Sequence, residues 1–188
     1  MKLVTNNYKG TIVQESRVKI RPARANELEV LFLLITSNDE WTKFNGPYFP
    51  YTHPTIEEFE IGVFQRLLEG SDLQVVTFDN IPVGTVNSYW ECESTRWLEA
   101  GIVIYNSEVW GNGIASEAIP LWIDHLFENY SIERVGMTTW SGNPRMMALA
   151  SKVGFKQEAL LRKVRFYQGK YYDSVKYGVL KSEWESRN

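Results

Sequence analysis

Two glycines separated by one residue lie in a segment that could bind a phosphate group. Residues 108–117 follow a strand-like run and begin a helical one. Because Gly111 and Gly113 carry no side chain, backbone amides can converge on a ligand there, and a helix N-terminus adds free N–H donors with a partial positive charge. This arrangement suits a pyrophosphate, although it is equally typical of an ordinary strand-to-helix turn. It lacks the third glycine of a dinucleotide fingerprint and the Gly-Lys-Ser/Thr of a P-loop.

A second segment, residues 143–155, combines three helix-capping signals. Asn143 stands at an N-cap position, Pro144 at the first helical position and Gly154 at the C-cap position. Taken alone, this pattern indicates an ordinary short helix. Residues 143–155 become informative about function because they follow the glycine segment in the chain.

Composition restricts the classes of function. The chain has 188 residues, of which 44% are hydrophobic, and this predicts one folded domain over residues 1–188. A net charge of -3 gives no global attraction for nucleic acid or an anionic membrane. One cysteine and two histidines supply neither a disulfide nor a convincing metal site. Residues 1–10 lack the apolar run of a signal peptide, so we expect a cytoplasmic protein.

Hydrophobic periodicity predicts the element order β-α-α-β-β-β-α-β-α-β-β. The predicted strands are 17–21, 73–78, 82–90, 97–105, 134–140, 155–164 and 172–180, and the predicted helices are 27–36, 55–69, 114–128 and 143–152. We expect Asn26 to cap the first helix, Thr55 and Glu58 to form a capping box on the second, and Pro120 to kink or break the third. Helices follow two of the central strands, so some parallel pairing is expected in a mixed α/β (α+β) fold with a mostly antiparallel sheet.

The glycine segment followed by residues 143–155 resembles the GNAT superfamily of acyl-CoA-dependent N-acyltransferases, and more closely its RimJ/RimL-like subgroup. The resemblance extends from about Arg17 to Trp184. The supporting segments are 84–85, 98–101, 110–118, 143–155, 169–173 and 183–184. It implies a sheet flanked by helices and split between the fourth and fifth strands, with acetyl-CoA as cosubstrate in the opening.

The resemblance assigns residues to acetyl-CoA. The fourth strand would pair with the pantetheine arm like an added strand, the glycine segment would hold the pyrophosphate, and the short helix would contact the acetyl end and a phosphate. The assigned residues are Ile102, Val103, Ile104, Gly111, Asn112, Gly113, Ile114, Ala115, Ser116, Asn143 and Arg145. Trp110 stands where many members have Gln or Arg, and this departure is frequent in the RimJ/RimL-like subgroup.

Acetyl transfer to an amine requires a base, oxyanion donors and help for the leaving thiolate. The resemblance makes Glu99 the first candidate for the base, with Asp173 and Glu91 behind it. The alternative for Glu99 is a structural, hydrogen-bonded carboxylate. Met146 and Ala150 stand where family members often carry a Ser and a Tyr that assist the thiolate. Help could instead come from Asn143, the second catalytic candidate, with a helix terminus and water, or from another residue, or the reaction could be slow.

The acceptor side is predicted from the aromatic residues, which make up 14% of the chain. Aromatic faces receive protonated amines well. The residues expected to line the acceptor pocket are Trp41, Phe44, Asn45, Tyr89 and Trp140. The expected acceptor is the primary amine of a protein N-terminus or of a small molecule, and the subgroup is compatible with a homodimer.

Two alternatives stay open on the sequence. The missing Ser and Tyr favour a non-catalytic acyl-CoA-binding or regulatory module over an enzyme. The basic run Arg162, Lys163 and Arg165 is typical of a solvated face, but an acidic acceptor could also dock there.

Overall fold

The computed structural model describes residues 16–187 and arranges them around a seven-stranded sheet. The strands are β1 (Val18–Arg21), β2 (Leu73–Phe78), β3 (Ile81–Cys92), β4 (Trp97–Ile104), β5 (Arg134–Trp140), β6 (Lys156–Tyr167) and β7 (Lys170–Leu180). The helices are α1 (Leu28–Thr36), α2 (Ile56–Phe59), α3 (Gln65–Glu69), α4 (Ile114–Asn129), α5 (Pro144–Lys152) and α6 (Lys181–Glu185). The expectation for residues 1–10, and the outer ends of the predicted 1–188 domain, lie outside the described residues.

The strand order is β1-β2-β3-β4-β5-β7-β6, and only the β4–β5 pair is parallel. That parallel contact is short, because Leu98 pairs with Val135, Glu99 pairs with Gly136, and no further pair follows. From residue 100 to 104, β4 is paired only with β3. The sheet therefore opens as a V between β4 and β5. This confirms the predicted mixed fold and its split.

Each face of the sheet carries its own hydrophobic core. Successive side chains of a strand point to opposite faces, and the neighbours Val75 and Val76 accordingly belong to different cores. The core of Val76 is covered by α4, whose Trp122 is completely buried. The core of Val75 is covered by α1 and by the α2–α3 segment, which contributes the buried Phe59. No helix within residues 16–187 is long and apolar enough to cross a membrane.

The predicted capping box at the start of α2 is confirmed. Thr55 accepts the backbone N–H of Glu58 at 3.2 Å, and Glu58 accepts the backbone N–H of Thr55 at 2.8 Å. The helix begun there continues through a π-helical turn, Glu60–Phe64, into α3. It ends at Gly70, whose left-handed conformation closes the last turn.

The prediction for the start of α1 is wrong. Asn26 does not cap α1, because it lies inside a short 3-10 turn, Ala25–Glu27. The side chain of Glu27 instead accepts the backbone N–H of Arg24 at 2.8 Å.

α4 continues through Pro120, so the helix does not break there, and a kink at that residue stays a prediction. A proline removes only one backbone hydrogen bond from a helix, and the side chain of Trp122 in the following turn is buried in the core.

Candidate active site

The opening between β4 and β5 belongs to a cleft of about 1040 Å³. It is bordered by the free edge of β4, by residues 109–116, by α5 and by the aromatic loop, which we define as residues 41–49. Most of the sequence-predicted site residues meet here. They are Trp41, Phe44, Asn45, Tyr89, Ile102, Val103, Ile104, Gly111, Gly113, Ile114, Ala115, Ser116, Trp140, Asn143 and Arg145. The predicted Glu99 and Asn112 do not line the cleft.

The glycine segment has a backbone that only glycine adopts without strain. Gly111 and Gly113 have φ angles of 85° and 79°. A β-carbon built at either position meets no atom within 4 Å, so the space in front of the loop is open. Gly113 directly precedes α4, whose first backbone N–H groups, those of Ile114 and Ala115, have no partner within the helix. The N–H of Ser116 donates to the carbonyl of Gly113 at 2.9 Å. Asn112 closes the loop by donating its side-chain amide to the carbonyl of Val109 at 3.0 Å. The loop fits a phosphate group held by backbone amides.

The free edge of β4 offers backbone groups to the cleft. The carbonyl of Val103 points toward β3, where it would lie 2.3 Å from a β-carbon on Gly84. By the alternation of a strand, the backbone groups of Ile102 and Ile104 face the open side. The carbonyl of Ile104 already accepts the indole N–H of Trp110 at 2.9 Å. An extended ligand can therefore pair with Ile102 and with the N–H of Ile104.

Arg145 lies at the start of α5, between the glycine segment and the aromatic loop. Its guanidinium carbon is 5.1 Å from the ring centre of Trp110 and 5.4 Å from that of Phe44. The two rings contact each other edge-on at 5.7 Å. Within residues 16–187, Arg145 has these ring contacts but no carboxylate partner. Its charge is thus free to act on an anionic group in the cleft.

The backbone carbonyl of Phe44 ties the aromatic loop to β5 and α5. Trp140 donates its indole N–H to this carbonyl at 3.0 Å, and Asn143 donates its side-chain amide at 3.2 Å. The side-chain oxygen of Asn143 accepts the backbone N–H of Met146 at 3.0 Å, so Asn143 caps α5 as predicted. Asn143 therefore holds the loop against the helix, and its catalytic and cofactor contacts stay predictions.

Glu99 is completely buried, next to the vertex of the split. Its Oε1 accepts the indole N–H of Trp97 at 3.0 Å and a guanidinium N–H of Arg134 at 3.3 Å. Its Oε2 accepts the hydroxyl of Thr138 at 2.9 Å. The carboxylate fits because residue 136 is Gly136, where a β-carbon would lie 2.0 Å from Oε1. Glu99 is a structural, hydrogen-bonded carboxylate that reaches the cleft through Thr138, and its role as a base stays a prediction.

Tyr89 lies beside this group and lines the cleft. It is the cross-strand partner of Glu99, and its hydroxyl lies near the side chain of Thr138. Burial, and then the negative charges of Glu99 and Glu91, raise the pKa of Tyr89 to about 12. The phenol is neutral at physiological pH, and its oxygen remains an acceptor toward the cleft.

The two other carboxylate candidates differ in position. Glu91 lines the cleft, and its Oε1 lies 3.6 Å from the ammonium of Lys176. Asp173 does not line the cleft, and it accepts the backbone N–H of Lys163 at 2.8 Å.

The helix α5 presents no acidic or hydroxyl side chain to the cleft. Its lining residues are Arg145, Met146, Ala148, Leu149 and Lys152. Ala150 is completely buried in the core on the α4 side. Neither Met146 nor Ala150 can donate a proton to a thiolate.

Thr138 and Arg165 line the cleft but are not among the sequence-predicted site residues. The alternation of β5 could have found Thr138, which points to the same face as Trp140. Arg165 has no such local signal. The residues that lie against it, Tyr48 and Phe49, come from the aromatic loop, far away in the chain.

Comparison with known proteins adds to this geometry. A family model described as an acetyltransferase (GNAT) domain matches residues 17–156. The uncharacterized N-acetyltransferase YoaA of Bacillus subtilis (strain 168) is 30% identical over 179 residues, which cover 90% of this chain and 97% of YoaA.

Two solved structures share the fold. Spermidine N-acetyltransferase from Vibrio cholerae, in complex with CoA and spermine, has a TM-score of 0.74 at 21% identity and covers 92% of this chain and 100% of its own. RimL, a ribosomal L7/L12 alpha-N-protein acetyltransferase in complex with CoA, has a TM-score of 0.72 at 17% identity. The match covers 88% of this chain and 95% of the RimL chain. At these identities, the likeness concerns the fold.

Proposed function

Since the chain belongs to the GNAT acetyltransferase family, we propose that it moves an acetyl group to the primary amine of a protein N-terminus or a small molecule. The chain is an acetyl-CoA-dependent N-acetyltransferase, and the choice of acceptor and of catalytic residues is the proposal. The observation that carries it is the cleft, which joins an open strand edge and a glycine segment to a buried carboxylate. We assign the chain to the RimJ/RimL-like subgroup, with support from Trp110 and from the shared fold of RimL.

Acetyl-CoA would lie along the open side of β4. Ile102 and Ile104 would pair with the pantetheine arm through their backbone groups, and the amides from Gly111 to Ser116 would hold the pyrophosphate. Arg145 supplies a cation beside this segment. The cosubstrate contributes a thioester, whose carbonyl carbon accepts the amine.

The transfer balances as one bond formed and one broken. The neutral amine attacks the thioester carbonyl, the C–N bond forms, the C–S bond breaks, and CoA leaves as a thiolate that takes up one proton. The attacking nitrogen loses one proton in the same turnover, which balances the proton taken up by the thiolate. Because an alkyl ammonium has a pKa near ~10.4, the acceptor arrives as an ammonium at neutral pH and must lose a further proton before it attacks. The chain must provide a path for this proton, which is finally released to solvent.

We assign this path to Tyr89, Thr138 and Glu99. The acceptor amine would donate to the phenol oxygen of Tyr89, the phenol would donate to the nearby hydroxyl of Thr138, and Thr138 donates to Glu99. In this arrangement the three hydrogen bonds would run in one direction and end on a carboxylate, so a proton would pass from the cleft to Glu99 by successive transfers. Under this proposal Glu99 acts through two hydroxyl groups, as its complete burial requires.

The acceptor would lie against the aromatic loop. Phe44 and Tyr48 approach Trp140 from the loop, and Tyr89 lies across the split. The two solved relatives named above act on a polyamine and on a protein N-terminus, and both acceptors present a primary amine. We further propose that the protein is a single-domain cytoplasmic enzyme. A homodimer is compatible with the subgroup, and equilibrium ultracentrifugation would test it.

The proposed function is tested by thiol release from acetyl-CoA across a panel of amines. The panel contains free amino acids, peptides with free N-termini, and spermidine, and CoA binding is measured in parallel by calorimetry. We expect amine-dependent release of CoA with at least one class. CoA binding without turnover by any amine would contradict the proposal and favour the non-catalytic acyl-CoA-binding module.

A further inference from the structure

Arg165 occupies the acceptor side of the cleft. It pairs with Tyr172 across the β6–β7 ladder, and Tyr172 packs edge-on against Trp140 at 4.8 Å. The guanidinium carbon lies 4.9 Å from the ring centre of Tyr48 and 5.7 Å from that of Phe49. Arg165 is therefore the cation nearest to the tip of the aromatic loop, in the wall formed by rings.

This guanidinium has no anionic partner. Its Nε is buried and makes no hydrogen bond within residues 16–187, and no carboxylate of that range is ion-paired with it. Other half-buried arginines of the fold are neutralised, since Arg21 pairs with Glu27 and Arg134 with Glu158 and Glu99. A buried donor without an acceptor is costly unless a ligand supplies the acceptor.

The charges of the cleft exclude a polycation as the best-fitting acceptor. Its lining holds three cations, Arg145, Lys152 and Arg165, and one carboxylate, Glu91. Glu91 already faces Lys176 at 3.6 Å. The phosphates of the cosubstrate account for Arg145 and Lys152 on α5, but Arg165 lies on β6, across the aromatic loop from them.

We propose that the acceptor carries a carboxylate as well as its primary amine, and that Arg165 binds this carboxylate. The inference rests on the proposed acetyl transfer and adds the substrate class. A guanidinium held between aromatic rings presents its N–H edge in a fixed plane, which matches the two oxygens of a carboxylate. The amine would then point toward Tyr89, with the acid at Arg165. A free amino acid and the N-terminus of an acidic peptide share this chemistry.

The test compares each acid with its neutral isostere. The amino-acid arm uses aspartate against its α,β-diamide, and the peptide arm uses Ser-Glu-Ala-amide against Ser-Gln-Ala-amide, with spermidine as a cationic probe. In the wild type we expect kcat/KM to be at least tenfold higher for the acid in one arm. That arm identifies the source of the carboxylate. Equal values for acid and isostere in both arms, or the highest value for spermidine, would overturn the proposal.

Arg165→Leu provides the second readout. It should lower kcat/KM for the preferred acid at least thirtyfold and that for its neutral isostere less than threefold. Arg165→Lys should recover only part of the loss, because it keeps the charge but not the planar pair of donors. Arg162→Leu, which removes an exposed cation from the same strand, is the matched control and should change neither value. Equal losses on acid and isostere would assign Arg165 to the packing of the loop and overturn the proposal.

The two proposals fail differently. If acetyl transfer itself is wrong, no amine of either kind releases CoA. If only the carboxylate is wrong, CoA is released without preference for the acid.

Discussion

The two walls of the cleft are built in different ways. The cofactor wall consists mainly of backbone, namely the glycine segment, the N-terminus of α4 and the free edge of β4. The acceptor wall consists of side chains from distant parts of the chain, which meet at the carbonyl of Phe44 and at Arg165.

This difference separates what a family can share from what one member decides. Backbone groups bind the same ligand whatever the neighbouring side chains are, so one cofactor wall serves many sequences. A wall of side chains changes with every substitution. Under the function proposed above, a few residues of the loop and of β3, β5 and β6 would determine the acceptor.

The largest expected effect is on the proposed proton path, which begins at Tyr89 in the acceptor wall and ends at the buried Glu99. Glu99→Gln and Tyr89→Phe should each lower kcat by about 100-fold or more, because general-base assistance is typically worth 10²–10⁴. The affinity for CoA, measured by calorimetry, should stay within about threefold, because neither group touches the cofactor wall.

The double variant separates a shared path from two independent effects. Glu99→Gln combined with Tyr89→Phe should be no slower than the worse single variant. Tyr130→Phe removes a tyrosine hydroxyl that donates to Ser71 outside the cleft, and it serves as the control. Additive losses, or full activity of Tyr89→Phe, would rule the path out.

The next largest effect is expected from a variant that disturbs only the cofactor wall. Gly113→Val forces a β-branched residue into a backbone with φ of 79°, at a cost of about 1–2 kcal/mol or more. We expect CoA to bind at least ~10-fold more weakly by calorimetry, because the amides no longer converge.

Gly154→Val is the matched control for this strain. It introduces the same residue at a φ of 97°, outside the cleft. It should lower the melting temperature to a similar degree and leave CoA affinity unchanged. Equal loss of CoA binding in both variants would mean that Gly113 matters only for stability.

A smaller effect is expected from a variant that weakens the packing of the acceptor wall only. Trp140→Phe keeps an aromatic ring but removes the indole N–H that holds the carbonyl of Phe44. The loss of about 1 kcal/mol should raise the KM for the acceptor about fivefold and leave the KM for acetyl-CoA nearly unchanged. Hydrogen exchange should accelerate in residues 44–49.

Trp184→Phe removes an indole hydrogen bond to Asp124, far from the cleft, and should change neither KM. If Trp140→Phe raised the KM for acetyl-CoA as much as that for the amine, the two walls would not be independent.

The smallest expected effect concerns the stability of the fold and the ion pair of Glu27, which lies outside both walls. Hydrogen bonds from Arg21, and then from the backbone of Arg24, lower the pKa of Glu27 below its ordinary 4.5. The pair therefore stabilises the fold above that pH, and the contribution is lost as the pH falls through the lowered pKa. Glu27→Gln should cost about 1 kcal/mol at pH 7 in urea unfolding, and progressively less as the pH falls from 4.5 through the lowered pKa of Glu27. A difference independent of pH would contradict this origin, and turnover should be unaffected at neutral pH.

The sequence predicts the features that depend on local patterns. The strands β4 and β5, the glycine segment and the capping by Asn143 each follow from neighbouring residues, and the resemblance to a known family supplies the split between the strands. Pro120 misleads because a local rule ignores the buried face of α4. Tertiary packing overrides the local preference there.

The acceptor wall depends on contacts that no local pattern contains. The approach of the aromatic loop to Arg165 joins residues from opposite ends of the chain, and the basic run around Arg165 therefore resembles a solvated face. Glu99 is recognisable as a candidate because it lies in β4. Its burial, its hydrogen bond from Thr138 and its pairing opposite Tyr89 require the register of three strands.

The short contact between β4 and β5 makes the width of the cleft sensitive to the angle between these two strands. Two residue pairs act as the pivot, and the arm of β4 beyond them has five residues, 100–104. At about 3.3 Å per residue the arm is about 16 Å long, so a rotation of only about 5° at the pivot moves its tip by about 1.4 Å. A small change in angle where Glu99 meets Gly136 would therefore change the width of the cleft most at the far end of β4. If loading the cleft changes this angle, the exchange rates of the backbone amides of residues 98–99 and 135–136 should report it in solution.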